Sequence, residues 1–230
     1  FWDATGCAWL DMPYSVANKQ KYTGSLMEKI MKDCGTVEEA REVFDHLYCD
    51  DQYTAQYLIG DSCGNSMIVE GDSIILKEGA YQVLTNFYHS RPDLGGYPCW
   101  RYNTAVAMLG EEEEFNPFLL GAILSATHQE RRYPTQYSSI YDLKNRVLYL
   151  FYFHNFEEFI TIRLDDELLL GSHVYALEPQ FSRIRDLQPF GGERVDPTGV
   201  TFTWTGKISS QFVLKYFSDP NFNYYFPHSL

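Results

Sequence analysis

Ala55-Gln56-Tyr57-Leu58-Ile59-Gly60-Asp61-Ser62-Cys63-Gly64-Asn65-Ser66-Met67-Ile68-Val69-Glu70 is the stretch that decides the fold. Side chains alternate up to Gly60, break over Asp61-Ser62-Cys63-Gly64-Asn65, and resume their β pattern from Ser66. Two such runs around a cluster of turn formers predict a hairpin. Further β segments are expected at 73–77 and 80–86, parted by Glu78-Gly79. A Pro- and Gly-containing loop over 91–99 then leads into a helix at about 101–110, with a second helix at 118–127.

Upstream of the hairpin, Leu26, Met27, Ile30 and Met31 make an apolar stripe on a helix over about 24–33, ended by Cys34-Gly35. Thr36-Val37-Glu38-Glu39 is a capping-box sequence. The helix it starts carries Val37, Ala40, Val43, Phe44 and Leu47 on one face, so both helices are expected to cover a sheet. Residues 1–16 read as a short strand and loop stopped by Pro13. Downstream, 136–142, 146–153 and 158–164 are three more expected strands, and the acidic run Glu111 to Glu114 is a solvated loop or helix end. Strand–turn–strand spacing with two helical blocks gives an α+β layered domain.

Composition changes near Glu178. A linker is expected over 181–198, around Pro189, Gly191-Gly192 and Pro197. Val200-Thr201-Phe202-Thr203-Trp204 and Gln211-Phe212-Val213-Leu214-Lys215-Tyr216 then alternate strictly. They resemble the opening strands of a fibronectin-III-like sandwich, in which a buried Trp packs between sheets. The segment 199–230 is therefore read as the start of such a domain or as a β-rich tail.

The 230 residues are 45% hydrophobic and 17% aromatic, enough for a sizeable core. A net charge of −13 argues against nucleic acid or an anionic membrane surface as partner, since both would be repelled. No apolar run approaches the roughly 20 residues of a membrane span, and no signal peptide is visible. The opening Phe1-Trp2-Asp3, without Met, reads as that of a processed or truncated product. Five cysteines (Cys7, Cys34, Cys49, Cys63, Cys99) show neither CxxC nor zinc-finger spacing and are expected to be free, at least half-buried thiols.

The hairpin motif, followed by Tyr81-Gln82-Val83-Leu84-Thr85-Asn86-Phe87, resembles the choloylglycine hydrolase and penicillin acylase superfamily of linear-amide C–N hydrolases. Those members share a D-x-x-G-x-S-x-(I/V)-(I/V)-E hairpin and a (V/L)-T-N strand end. Cys34-Gly35-Thr36-Val37-Glu38-Glu39-Ala40, Cys99-Trp100-Arg101-Tyr102 and Tyr133-Pro134-Thr135-Gln136-Tyr137-Ser138-Ser139 match further motifs in the same order. The resemblance covers about residues 1–180. It implies the αββα sandwich of N-terminal-nucleophile hydrolases, present here in part and followed by the fibronectin-III-like tail.

It also implies hydrolysis or acyl transfer on a small-molecule acyl amide, without metal or cofactor. The nucleophile is an N-terminal Cys, whose α-amine (pKa near 8) serves as base. Residue 1 is Phe, so that Cys is expected in a preceding segment or partner chain, and this chain alone is expected to be inactive. Asn86 falls on the oxyanion-hole Asn and Arg101 on the active-site Arg that orients the nucleophile. Asp3 falls where members carry an Asn that lends a backbone N–H to the oxyanion. This is a departure, since a carboxylate beside an oxyanion is unfavourable. For Asn86 the ordinary alternative is a turn cap. For Arg101 a structural role is disfavoured, because a cation at a helix N-terminus opposes the macrodipole. Tyr88, His89 and Trp100 would line the substrate mouth, with core packing as the competing explanation for the aromatics. The rival reading of the whole is a non-catalytic relative used for ligand binding or surface assembly. The tail's analogy points toward a secreted, periplasmic or bacterial-surface location.

Overall fold

The computed structural model describes residues 1–6, 12, 14–53, 55–130, 134–176, 180–181, 200–202 and 212–216. The chain is α+β and divides into two compact units, Phe1–Phe115 with Asp142–Arg146 and Thr205–Val213, and Asn116–Tyr141 with Val147–Trp204 and Leu214–Leu230.

The first unit is built on an antiparallel sheet of β1 (Trp2–Gly6), β4 (Ala55–Gly60), β5 (Ser66–Glu70) and β6 (Ser73–Leu76), in the order β1-β4-β5-β6. β4 and β5 form the expected hairpin, with Tyr57 opposite Val69 and Ile59 opposite Met67. Its turn is tied by Asp61, whose carboxylate accepts from the amides of Cys63 and Asn65 at 2.9 and 3.0 Å. The other oxygen of Asp61 accepts from Val37 N at 3.0 Å, which docks the turn on the start of the second helix. Burial pushes the Asp61 carboxyl up, yet the Val37, Asn65 and Cys63 donors together hold it below the ordinary value.

Helices α1 (Leu26–Asp33) and α2 (Val37–His46) cover one face of this sheet. Thr36 and Glu39 complete the capping box at α2, each accepting from the other's backbone N–H at 3.2 Å. Leu26, Met27, Ile30, Val37, Ala40 and Phe44 pack on Tyr57, Ile59, Met67 and Val69. A short parallel pair, β2 (Gln20–Lys21) and β3 (Leu47–Tyr48), flanks this layer in sequence. Side chains alternate across a strand, so Gln56, Ile68 and Glu70 point to the opposite face. They are buried as well. A further helix of the first unit is α3 (Trp100–Gly110).

In the second unit, α4 (Pro117–Thr127) starts on Asn116, whose side chain accepts from two backbone amides. β7 (Tyr137–Asp142), β8 (Val147–Tyr152) and β9 (Ile160–Arg163) follow as expected. With β12 (Phe212–Tyr216) they form a sheet ordered β12-β7-β8-β9.

Several expectations need correction. Residues 80–86 form no strand. Gln82 ties them to the sheet through its side chain, accepting from Ser66 Oγ at 2.7 Å and donating to the Ile75 carbonyl at 2.9 Å. Asn86 therefore lies in a loop and does not end a strand. After β9 comes a helix that the alternation did not announce, α5 (Leu164–Leu170), with Asp165, Asp166 and Glu167 in its first turn where the helix dipole favours them. Cys63 is exposed, unlike the half-buried Cys34 and Cys99 and the buried Cys49, and all four are free thiols. The expected linker 181–198 lies outside the described residues apart from Phe181. Val200–Phe202 (β11) is a strand, as is β12, but the two do not pair with each other. β11 pairs antiparallel with β10 (His173–Tyr175), and β12 adjoins β7.

Candidate functional site

The far face of the first sheet holds a loop in place. Gln56 donates to the Phe87 carbonyl at 2.6 Å. Glu70 accepts from the amides of His89 and Ser90 at 3.0 and 3.3 Å, and from the Ser90 hydroxyl at 3.3 Å. Burial pushes the Glu70 carboxyl above its ordinary value, against the pull of the Ser90, His89 and Gln56 donors. Two buried polar side chains on adjacent strands thus anchor residues 87–90, just beyond Asn86.

The connection to α3 returns over the same spot. At Gly96 φ is +81°, and a Cβ there would lie 2.6 Å from the Asn86 carbonyl oxygen and 2.9 Å from Phe87 Cβ. Only glycine allows this close approach. Tyr97, the cis-peptide residue Pro98, and Cys99 follow, and Trp100 opens the helix.

Here Arg101 meets Asn86, its Nη2 donating to the amide Oδ1 at 2.5 Å. Because the oxygen end accepts from the guanidinium, Nδ2 is the end of the amide that faces away from Arg101. The charge polarises the amide and strengthens its N–H bonds as donors. An aromatic set packs alongside: Phe87 stacks on His89 with ring centres 4.3 Å apart, and Tyr102 meets both edge-on at 5.2 and 5.3 Å.

The remaining expected residues separate. Trp100 is 57% exposed and Tyr97 50%, so both offer apolar surface at the mouth of the α3 loop. His89 is largely covered. Burial pulls its imidazole down to about 4, so the ring is neutral at pH 7 and a poor general base. Tyr88 corrects the expectation of a substrate-lining side chain, because it is fully buried against Met12 and Leu94 as part of the core. Asp3 lies in β1 opposite Leu58, and its side chain falls outside the described residues.

One participant was missed. Cys99 sits at the N-cap of α3, its sulfur facing the Thr85 hydroxyl, the Tyr102 and Arg101 amides and the Arg101 charge. Burial pushes the thiol up, but these groups outweigh it and leave it below the ordinary value. Thr85 and the first turn of α3 create that setting, and no cysteine spacing announces it. Among the described residues, His128, Glu130 and His154 in the second unit form the one cluster that could hold a metal ion. The sequence offered no spacing signal for that set either.

No protein-family model, curated protein or solved structure matches the chain.

Proposed function

We propose that this chain belongs to an N-terminal-nucleophile hydrolase or acyltransferase acting on non-peptide linear amides. The nucleophilic Cys comes from a preceding segment or a partner chain. One observation carries the reading: the 2.5 Å bond by which Arg101 fixes the carbonyl end of the Asn86 amide. A donor amide held and polarised by a cation suits a developing oxyanion. A sheet with two helices layered on one face, and the hairpin and capping box that carry the family motifs, support the partial αββα fold.

In the proposed reaction the thiolate attacks the amide carbonyl and the carbon–oxygen π pair moves onto oxygen. Asn86 Nδ2 donates to that oxyanion, and the Arg101 charge stabilises it through the amide. The α-amine of the Cys takes the thiol proton and hands it to the departing amine. Water then cleaves the thioester, or a second amine accepts the acyl group. His89 is not the base, since a ring held near 4 is a weak proton acceptor at neutral pH. Exposed Trp100 and Tyr97 suit an apolar acyl group, such as a fatty, bile-acid or aryl-acetyl chain.

The test is amine release from a panel of N-acyl amides by the complete protein and by these 230 residues alone. The proposal predicts turnover by the former, lost when the N-terminal Cys is changed to Ala, and none by the latter. Absence of turnover with every acyl class would favour the non-catalytic, ligand-binding alternative. Turnover by the 230 residues alone, abolished by Cys99→Ala, would overturn the assignment of the nucleophile.

A further inference from the structure

We propose that His128, Glu130 and His154 form a binding site for a divalent transition-metal ion of the zinc class. His128 caps the C-terminus of α4, Glu130 lies two residues on, and His154 follows β8. One donor atom from each residue lies within 4.8 Å of the others.

The hydrogen bonding leaves a cation-shaped gap. His128 Nδ1 lies 2.5 Å from the Ser125 carbonyl. A carbonyl only accepts, so Nδ1 carries the proton and Nε2 bears the lone pair. That Nε2 is 3.0 Å from Glu130 Oε1. Two acceptors at this separation need a proton or a cation between them. His154 Nε2 is buried and has no hydrogen-bond partner, while backbone groups of Gln129 and Thr135 lie close enough to the ring to favour its charged form. His128 thus has the outer carbonyl contact that orients a metal-binding histidine. A proton placed on His128 would satisfy Glu130 and leave His154 without a partner. A metal ion would satisfy all three.

The surroundings hold the ligands in position. Gln129 and Thr135 close the loop after α4 with two bonds, Gln129 N to Thr135 Oγ1 at 2.9 Å and Thr135 N to the Gln129 carbonyl at 2.8 Å. The His154 ring stacks on Phe153 at 4.0 Å and lies 4.5 Å from the His128 ring centre. Two imidazoles and one carboxylate are a borderline donor set, suited to zinc, cobalt or nickel and not to magnesium or calcium. Bonds of about 2.0–2.2 Å in a tetrahedron place donors roughly 3.4 Å apart, so modest side-chain rotation closes the site. Glu130 is exposed, and water fills the outward position. The ion would pin the loop after α4 to the turn after β8.

The test uses the 230-residue chain stripped with chelator. Zinc chloride is titrated by calorimetry, and cobalt(II) is followed by its visible absorption. We expect one equivalent of zinc, a rise in melting temperature on binding, and a cobalt spectrum of nitrogen and oxygen ligation. Glu130→Gln, chosen because an exposed residue spares the fold, should weaken zinc binding about tenfold or more. His154→Ala should weaken it further, by about a hundredfold. No binding by the parent chain would overturn the site. Equal affinity in the parent and both variants would also overturn it, since the metal would then sit elsewhere.

Discussion

At the scale of single residues, His89 shows how the candidate site trades solubility for position. Its ring is stacked on Phe87 and edge-on to Tyr102, and burial holds it neutral. A histidine whose folded pKa is depressed contributes stability that is present above the unfolded value near 6.5 and lost as pH falls toward about 4. Stability should therefore decline across that window, by at most about 1.4 kcal/mol per pH unit from this group. Glu70, with its raised carboxyl pKa, works in the opposite direction, so the comparison must isolate His89. In His89→Phe, which keeps the stacking, denaturant unfolding should show a flatter pH dependence than the parent between 6.5 and 4. Parallel curves would mean that the ring is not held neutral. Asn86 and Arg101 could be singled out from local motifs, whereas the bond that joins them comes from the fold. Tyr88 stood between substrate mouth and core, and only the packing of Met12 and Leu94 against it decides for the core. The two imidazoles of the metal cluster were illegible, since His154 is far from His128 in sequence and only the fold joins them.

Among the elements, the hairpin, α1, the capping box and α2 follow directly from periodicity and turn chemistry, because their determinants lie within a few residues of each other. Residues 80–86 have the composition of a strand without a neighbour to pair with, and Gln82 side-chain bonds take the place of a ladder. The polar positions of β4 and β5 were the least legible. Alternation puts Gln56 and Glu70 on one face without saying what covers it; both are buried and grip the loop beyond Asn86. Removing Glu70 deprives the His89 and Ser90 amides of their acceptor, each loss costing about 1–3 kcal/mol. In Glu70→Ala, hydrogen exchange at these two amides should accelerate by about tenfold or more, with the α1 and α2 amides changing less. Unchanged protection at His89 and Ser90 would show that the loop is held by something other than the sheet.

Across the whole molecule, the two compact units are each α+β, and the formal net charge is −13. No helix among the described residues is long and apolar enough to cross a membrane. The strands of 200–202 and 212–216 were legible as strands but not in their pairing, because alternation specifies a face and not a partner. Their association with β10 and β7 comes from residues far upstream. The proposed amide hydrolysis through Asn86 and Arg101 requires a nucleophile outside these 230 residues, so its test uses the complete protein. The deciding measurement is kcat, KM and melting temperature for Asn86→Ala in that protein. Loss of one oxyanion donor should lower kcat by about 10²–10³ with KM and melting temperature nearly unchanged. A folded variant with near-normal kcat and a lowered melting temperature would make Asn86 a turn cap and contradict the account.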